Sequence, residues 1–234
     1  MTEVTAMIRR RGLTSPLALS VLATLSEGPM HPYEIARLLR HRGKDQSIKI
    51  RYGSLYTVVQ NLEKRGLVAT AGTARAGRRP ERTVYRLTDD GQEELEDRLR
   101  ELVGRPVKEY PAFEAALSLA GVLPPDEIIG LLADRVRLLD VELAGARAAL
   151  RELIAEQRLP RVFLIESEYA VAMKQAEADW VRGLIEELAD GTLEGVDHWR
   201  TWHRTGEFPA EWMERGWAKT DRAMHPESEV DEPG

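Results

Sequence analysis

Residues 52–70 read YGSLYTVVQNLEKRGLVAT, and the fold turns on this stretch. At about 100° per residue, Leu55, Val58, Val59 and Leu62 fall in one sector of a helix. Thr57, Gln60 and Lys64 fall on the opposite side, flanked by Ser54, Tyr56 and Asn61. Gly66 stops this helix after Arg65, and Leu67 to Ala71 then has strand character. A second strand-like stretch, Thr83 to Leu87, follows a loop rich in Gly, Ala and Arg that carries Arg75, Arg78, Arg79 and Arg82. The spacing predicts a helix with one apolar and one polar face, followed by a β-hairpin with a basic tip.

Upstream, Ser15-Pro16-Leu17 places a capping residue before a proline suited to a first helical turn, and Leu17, Val21 and Leu25, with Ala18 and Leu22, form one helical stripe. Glu27-Gly28-Pro29 ends it. His31-Pro32 starts a second helix with Ile35, Leu38 and Leu39 on its apolar face, and Gly43 closes it. Three helices and a hairpin in this order describe a winged helix-turn-helix, so the expected class is mainly α with a small β-hairpin wing. In that fold the third helix enters the major groove of DNA and the wing lies along the backbone or the adjacent minor groove. Hydroxyl, amide and ammonium groups suit that face, and glutamine is one of the side chains able to bond adenine at two points. The candidate DNA-contacting residues are Tyr33, Lys49, Arg51, Tyr52, Ser54, Tyr56, Thr57, Gln60, Asn61, Lys64, Arg75, Arg78, Arg79 and Arg82, with Arg9, Arg10 and Arg11 as a further basic arm.

Charge agrees with this division. Residues 1–88 hold 16 Lys and Arg against 6 Asp and Glu, whereas residues 89–234 hold 17 against 33. A basic first third meets a polyanion, and an acidic remainder repels it.

Three strings, LTSPLALSVLATLSEGPMHPYEIARLL, YGSLYTVVQNLEKRGLV and GRRPERTVYRLTDDG, together resemble the winged-helix domain of PadR-family transcriptional regulators. The segment Tyr52-Gly53-Ser54-Leu55-Tyr56 resembles the family's Gly-Ser/Thr-Leu-Tyr opening of the recognition helix, with Tyr52 where proline is common. The resemblance covers residues 13 to about 190. It implies a DNA-binding regulator, most often a repressor, that dimerises through a larger C-terminal helical domain. By analogy, it also implies a small aromatic effector.

Past the wing, Thr88-Asp89-Asp90-Gly91 caps a fourth helix with Leu95, Leu99 and Leu102 on its apolar side. Prolines 111, 124 and 125 break the chain and a long helix starts near residue 126. The expected organisation is a winged helix-turn-helix domain over 1–108, a helical dimerisation and effector domain over 109–193, and an aromatic-rich then acidic tail over 194–234. In the long helix Ile129, Leu132, Val136, Leu139, Leu143, Ala146, Leu150 and Leu153 recur at alternating spacings of three and four, a heptad seam. Pro160 interrupts, and Arg161 to Asp190 carries Ile165, Tyr169, Ala172, Met173, Ala176, Trp180 and Leu184. The two stripes pack on each other or on a second copy. The expectation is a homodimer with the seam residues Ile129, Leu132, Val136, Leu139, Leu143, Leu150 and Leu153 at its interface, and Tyr169 and Trp180 lining an effector site. Trp199, Trp202, Trp212 and Trp217 lie in the tail, where docking onto the rest of the chain is the favoured reading.

Other classes are excluded or disfavoured. With no cysteine there is no disulfide, thiolate nucleophile or thiolate metal site. No Gly-rich phosphate loop, nucleophile elbow or HExxH string occurs, so neither catalytic residues nor a cofactor are expected. His198 and His203, near Asp197 and Glu207, lack the i, i+4 spacing of a helical metal pair, and no metal site is assigned. No apolar run reaches the roughly 18 residues that cross a bilayer, and a cytoplasmic location is the expectation. The alternative function is a winged helix that binds another protein without specific DNA binding.

Overall fold

The computed structural model describes residue 13 and residues 15–74, 82–210 and 212. They divide into two units between Glu109 and Tyr110.

The first unit is built by α1 (Pro16–Leu25), α2 (Pro32–His41), a 3-10 turn (Lys44–Gln46), α3 (Tyr52–Lys64), β1 (Val68–Ala74), β2 (Arg82–Leu87) and α4 (Asp89–Gly104). The apolar stripes read from the sequence converge in one core, where Val21, Leu22, Ile35 and Leu55 lose all contact with solvent and Val59, Leu62 and Val68 nearly all. Each such side chain contributes about 1.5–3 kcal/mol on transfer from water. β1 and β2 pair antiparallel, with Val68 opposite Leu87 and Thr70 opposite Tyr85. The next partners are Gly72 and Val84, so Ala71 is the extra residue of a bulge. Met30, between α1 and α2, exchanges two backbone hydrogen bonds with Tyr85, at 2.9 and 3.0 Å. This bridge ties the wing's base to the helices.

Side chains cap the starts of α2 and α4, whereas Ser15, expected to cap α1, makes no side-chain cap bond. His31 Nδ1 accepts from the Tyr33 N–H at 3.1 Å, and Glu34 Oε2 accepts from the His31 N–H at 2.9 Å, a reciprocal capping box. Thr88 Oγ1 accepts from the Gly91 N–H at 3.0 Å while donating to the Gly66 carbonyl at 2.7 Å, so one hydroxyl joins the end of α3 to the start of α4.

Arg42 grips both carboxylate oxygens of Glu27 at 2.5 and 2.8 Å and ties the end of α2 to that of α1. The hydrogen bonds from Arg42 hold the Glu27 carboxyl below its ordinary pKa. Because its folded value lies below its unfolded one, this stabilisation is full above the unfolded pKa and is lost as pH falls through the folded one. The pair is over two-fifths exposed on both sides, so Glu27→Gln is expected to cost about 0.5 kcal/mol in low salt. The loss should shrink in high salt and at acid pH, as checked by urea unfolding of both proteins.

The second unit holds α5 (Ala112–Ser118), a 3-10 turn (Ala120–Val122), α6 (Pro125–Ala155), a second 3-10 turn (Arg161–Phe163), α7 (Ile165–Asp190) and α8 (Val196–Thr205). α6 and α7 pack along their length as an antiparallel pair. α7 of the same chain packs along the row expected at the dimer seam. Leu132, Leu139 and Leu143 are buried against a row containing Ala178, Val181 and Leu188, and Ile129, Val136, Leu150 and Leu153 are half-buried. Arg135–Glu177 and Glu142–Lys174 line one edge of this seam. Asp140–Arg182 and Arg147–Gln175 line the other.

The segment read as a tail contains a helix. Gly195 and Gly206, both left-handed at φ +86° and +76°, bound α8. Val196 is buried beside Leu188, the Trp199 indole N–H donates to the Leu123 carbonyl at 3.0 Å, and His203 Nε2 lies 2.9 Å from the Gly121 carbonyl. Trp202, Phe208 and Trp212 follow edge to face at 5.0 and 5.6 Å. Trp199 therefore docks onto the first turns of the unit, while Trp202 and Trp212 pack within the segment itself. Trp217 and the acidic end lie outside the described residues.

Candidate nucleic-acid interface

α3 divides as its sequence does. Leu55, Val59 and Leu62 point into the core, and Ser54, Thr57, Gln60, Asn61 and Lys64 are exposed. Its amino end carries no side-chain cap. Thr57 donates its hydroxyl to the Gly53 carbonyl at 3.1 Å and keeps its lone pairs outward. The helix's one carboxylate is turned away from this face: Glu63 accepts from the Thr70 hydroxyl of β1 at 2.7 Å. Lys49 and Arg51, at the approach to α3, are exposed. Among the described residues neither they nor Lys64 make an ion pair. Their positive charge is therefore not cancelled locally, as phosphate contact requires.

The tyrosines form the least expected part of the face. Tyr33 and Tyr52 stack with centroids 5.7 Å apart and planes 12° apart, and the Arg40 guanidinium carbon lies 4.2 Å from the Tyr52 centroid. Tyr56 meets His31 edge to face at 6.0 Å. All three tyrosines are more than a third exposed. The structure thus brings Tyr33, Lys49, Arg51, Tyr52, Ser54, Tyr56, Thr57, Gln60, Asn61 and Lys64 into one unit around the outer face of α3. Arg75, Arg78 and Arg79 lie outside the described residues, as do Arg9, Arg10 and Arg11. Arg82 opens β2. Arg40, which fixes Tyr52, was not among the sequence candidates; its signal was its position seven residues after Tyr33, on the same side of α2.

This winged helix can be compared with known proteins. A family model described as "Transcriptional regulator PadR-like family" matches residues 21–97, from within α1 to within α4. This segment belongs to the PadR-like family. The PadR-like fold extends beyond the matched segment in solved structures. Bacillus subtilis PadR in complex with operator DNA is 20% identical at a TM-score of 0.60, covering 74% of this chain and 98% of that one. Bacillus subtilis PadR in complex with p-coumaric acid is 18% identical at 0.60, with the same two coverages. The protein smu.1604c from Streptococcus mutans UA159 is 21% identical at 0.52, covering 75% and 99%. A search of curated proteins found no match. At these identities the likeness carries the PadR-like transcriptional-regulator fold.

The remaining candidates stand in the second unit. Tyr169 and Trp180 are 67% and 54% exposed on the outer face of α7. They share that face with Ile165, Ala172, Met173 and Ala176, all exposed. Leu131 and Leu138 stand about 100° around α6 from the seam, also exposed. Because α6 and α7 run antiparallel, both rows project on the same side, beyond the edge lined by Arg135–Glu177 and Glu142–Lys174. The helical pair is therefore two-sided, with an apolar flank and a flank of charged groups paired in-chain. His203 is engaged with Gly121, and His198 meets Trp212 edge to face at 6.1 Å. Among the described residues, no group of three acidic or histidine side chains is placed to hold a metal, and no helix is long and apolar enough to cross a membrane.

Proposed function

We propose that this chain is a sequence-specific DNA-binding transcriptional repressor that acts as a homodimer in the cytoplasm. The observation that carries the reading is the outer face of α3, where Gln60, Asn61 and Lys64 are exposed while the helix's only carboxylate is bonded to β1. α3 enters the major groove, with Gln60 and Asn61 at base edges, and Lys49, Arg51, Lys64 and the wing arginines on phosphates. Two-fold pairing of protomers then demands a pseudo-palindromic operator with half-sites about one helical turn apart, or a multiple of that.

Dimerisation is assigned to the apolar flank of the helical pair, since the heptad seam is already filled within the chain. A structure of Bacillus subtilis PadR with p-coumaric acid supports a small aromatic effector that relieves repression by changing how the two reading helices are presented. Tyr169 and Trp180 are reassigned from the effector site to the dimer face.

Fluorescence anisotropy on DNA from upstream of the chain's own gene, against scrambled DNA, tests the reading between about 50 and 200 mM salt. Binding that prefers the upstream fragment and falls by orders of magnitude across this range, as about 6–10 phosphate contacts require, is the expected result. Gln60→Ala is expected to cost about 1–3 kcal/mol on the preferred site and to relax its sequence preference, whereas Arg79→Ala should weaken all sequences alike. Absence of DNA binding at low salt would favour the protein-binding winged helix instead.

A further inference from the structure

We propose that the Tyr33–Tyr52 ring pair reads the 5-methyl group of a thymine at one fixed position of each half-site; this rests on the DNA-binding reading above. Tyr33 and Arg40 are seven residues apart on α2, so they share a side of that helix with about 10.5 Å of rise between them. The Tyr52 ring lies 5.7 Å from one and 4.2 Å from the other, which spans that interval. Arg40 is itself anchored, donating to the Ile50 carbonyl at 3.4 Å. The first residue of α3 is thereby clamped to α2, and both aromatic rings are fixed before any ligand arrives.

These rings are nevertheless 46% and 39% exposed. With Tyr56 one turn further along α3, also exposed, they present apolar edges on a surface that otherwise carries hydroxyl, amide and cationic groups. Of the base substituents displayed in the major groove, the thymine methyl is the apolar one. Residues at the amino end of a recognition helix are those that meet base edges, and Tyr52 is the first residue of α3. A ring already immobilised by stacking loses little further freedom on contact, so burying one methyl against it is retained as affinity.

The test uses the full-length protein and the duplex it selects from a random pool. Each thymine of that duplex is replaced singly by deoxyuridine, which removes the methyl group and nothing else, and binding is followed by anisotropy. One thymine per half-site should weaken wild-type binding about fourfold when replaced, the value of one buried methyl group. Tyr52→Phe should retain both the affinity and the uracil penalty. Tyr52→Ala and Tyr33→Ala should bind more weakly and become indifferent to that replacement. A selected half-site with no constant thymine, or a wild-type protein indifferent to every uracil, overturns the proposal while the DNA-binding reading stands. A Tyr52→Phe protein that behaves like Tyr52→Ala overturns it too, since the hydroxyls would then carry the contact. Failure of the wild type to select any duplex removes both readings. The uracil scan on wild type needs no variant, so a misfolded alanine protein leaves the proposal falsifiable.

Discussion

Replacing Gly91 with alanine is expected to destabilise the winged helix by about 3 kcal/mol or more, at the upper end of what overpacking costs. A β-carbon at this position would lie 2.0 Å from the Leu67 carbonyl oxygen and 2.8 Å from Leu87 Cδ1. The first neighbour is backbone and cannot rotate away. It also accepts the Thr88 N–H at 3.2 Å, so moving it strains the link between the end of α3 and the start of α4. In a unit of this size the loss lowers the melting temperature by on the order of 15 °C. Gly53 provides the contrast, because a β-carbon there meets nothing within 4 Å, and alanine in its place should raise stability by about 0.5 kcal/mol. Thermal unfolding followed by circular dichroism checks both. A Gly91→Ala protein that melts within 2–3 °C (roughly 0.5 kcal/mol) of wild type would show that α4 slides freely on the wing, contrary to the packing described.

The second large effect is expected from Trp180→Glu. Trp180 stands on the apolar flank of the helical pair, one turn from Ala176 and two from Met173, with more than half its surface in solvent. A carboxylate there costs a lone protomer only a few tenths of a kcal/mol, roughly the size of one like-charge helical pair with Glu177, but it puts an unpaired charge into any interface formed on that flank. The variant should sediment as a monomer while keeping its helical content. Its affinity for a palindromic duplex should fall by about 10²–10⁴, because the second reading helix is no longer held near its half-site. Glu186→Lys, one turn beyond Arg182 on the charged flank, should leave both properties near wild type. A Trp180→Glu protein that remains a dimer would move the interface elsewhere.

The contrast between those two flanks shows what periodicity conveys. In the first unit the apolar stripes of Leu17–Leu25, Ile35–Leu39 and Leu55–Leu62 have one place to go, so spacing alone foretold the core. In the second unit the row from Ile129 to Leu153 was legible as a seam, but its partner was not. A heptad row reports that something packs there, and the chain's return through α7 supplied the partner. The row around Tyr169 and Trp180 was equally legible and was the one left outside.

At the reading face, the polar residues of α3 could be named from helical phase, because burial of Leu55, Val59 and Leu62 fixes which side looks outward. The ring stack could not, since it joins residues 33, 40 and 52 through a turn whose geometry no local pattern specifies. The Met30–Tyr85 bridge escaped for the same reason. α8 was missed because its apolar positions, Val196, Trp199 and Trp202, are few and lie among charged residues; the bounding glycines 195 and 206 were the available signal.

The hydrogen bond from Trp199 to Leu123 joins positions 76 residues apart, and with His203 on Gly121 it brings the last described helix of the second unit back to its first turns. A helical pair whose flanking segments are joined in this way does not rely on the connection between its two helices to stay closed. The connection between α6 and α7, around Glu156 to Pro160, is then a natural place for an inserted segment. The same closure lets the segment from Gly121 to His203 hold its own ends together, so that evolution, or a designer, can exchange what precedes residue 110 without rebuilding it.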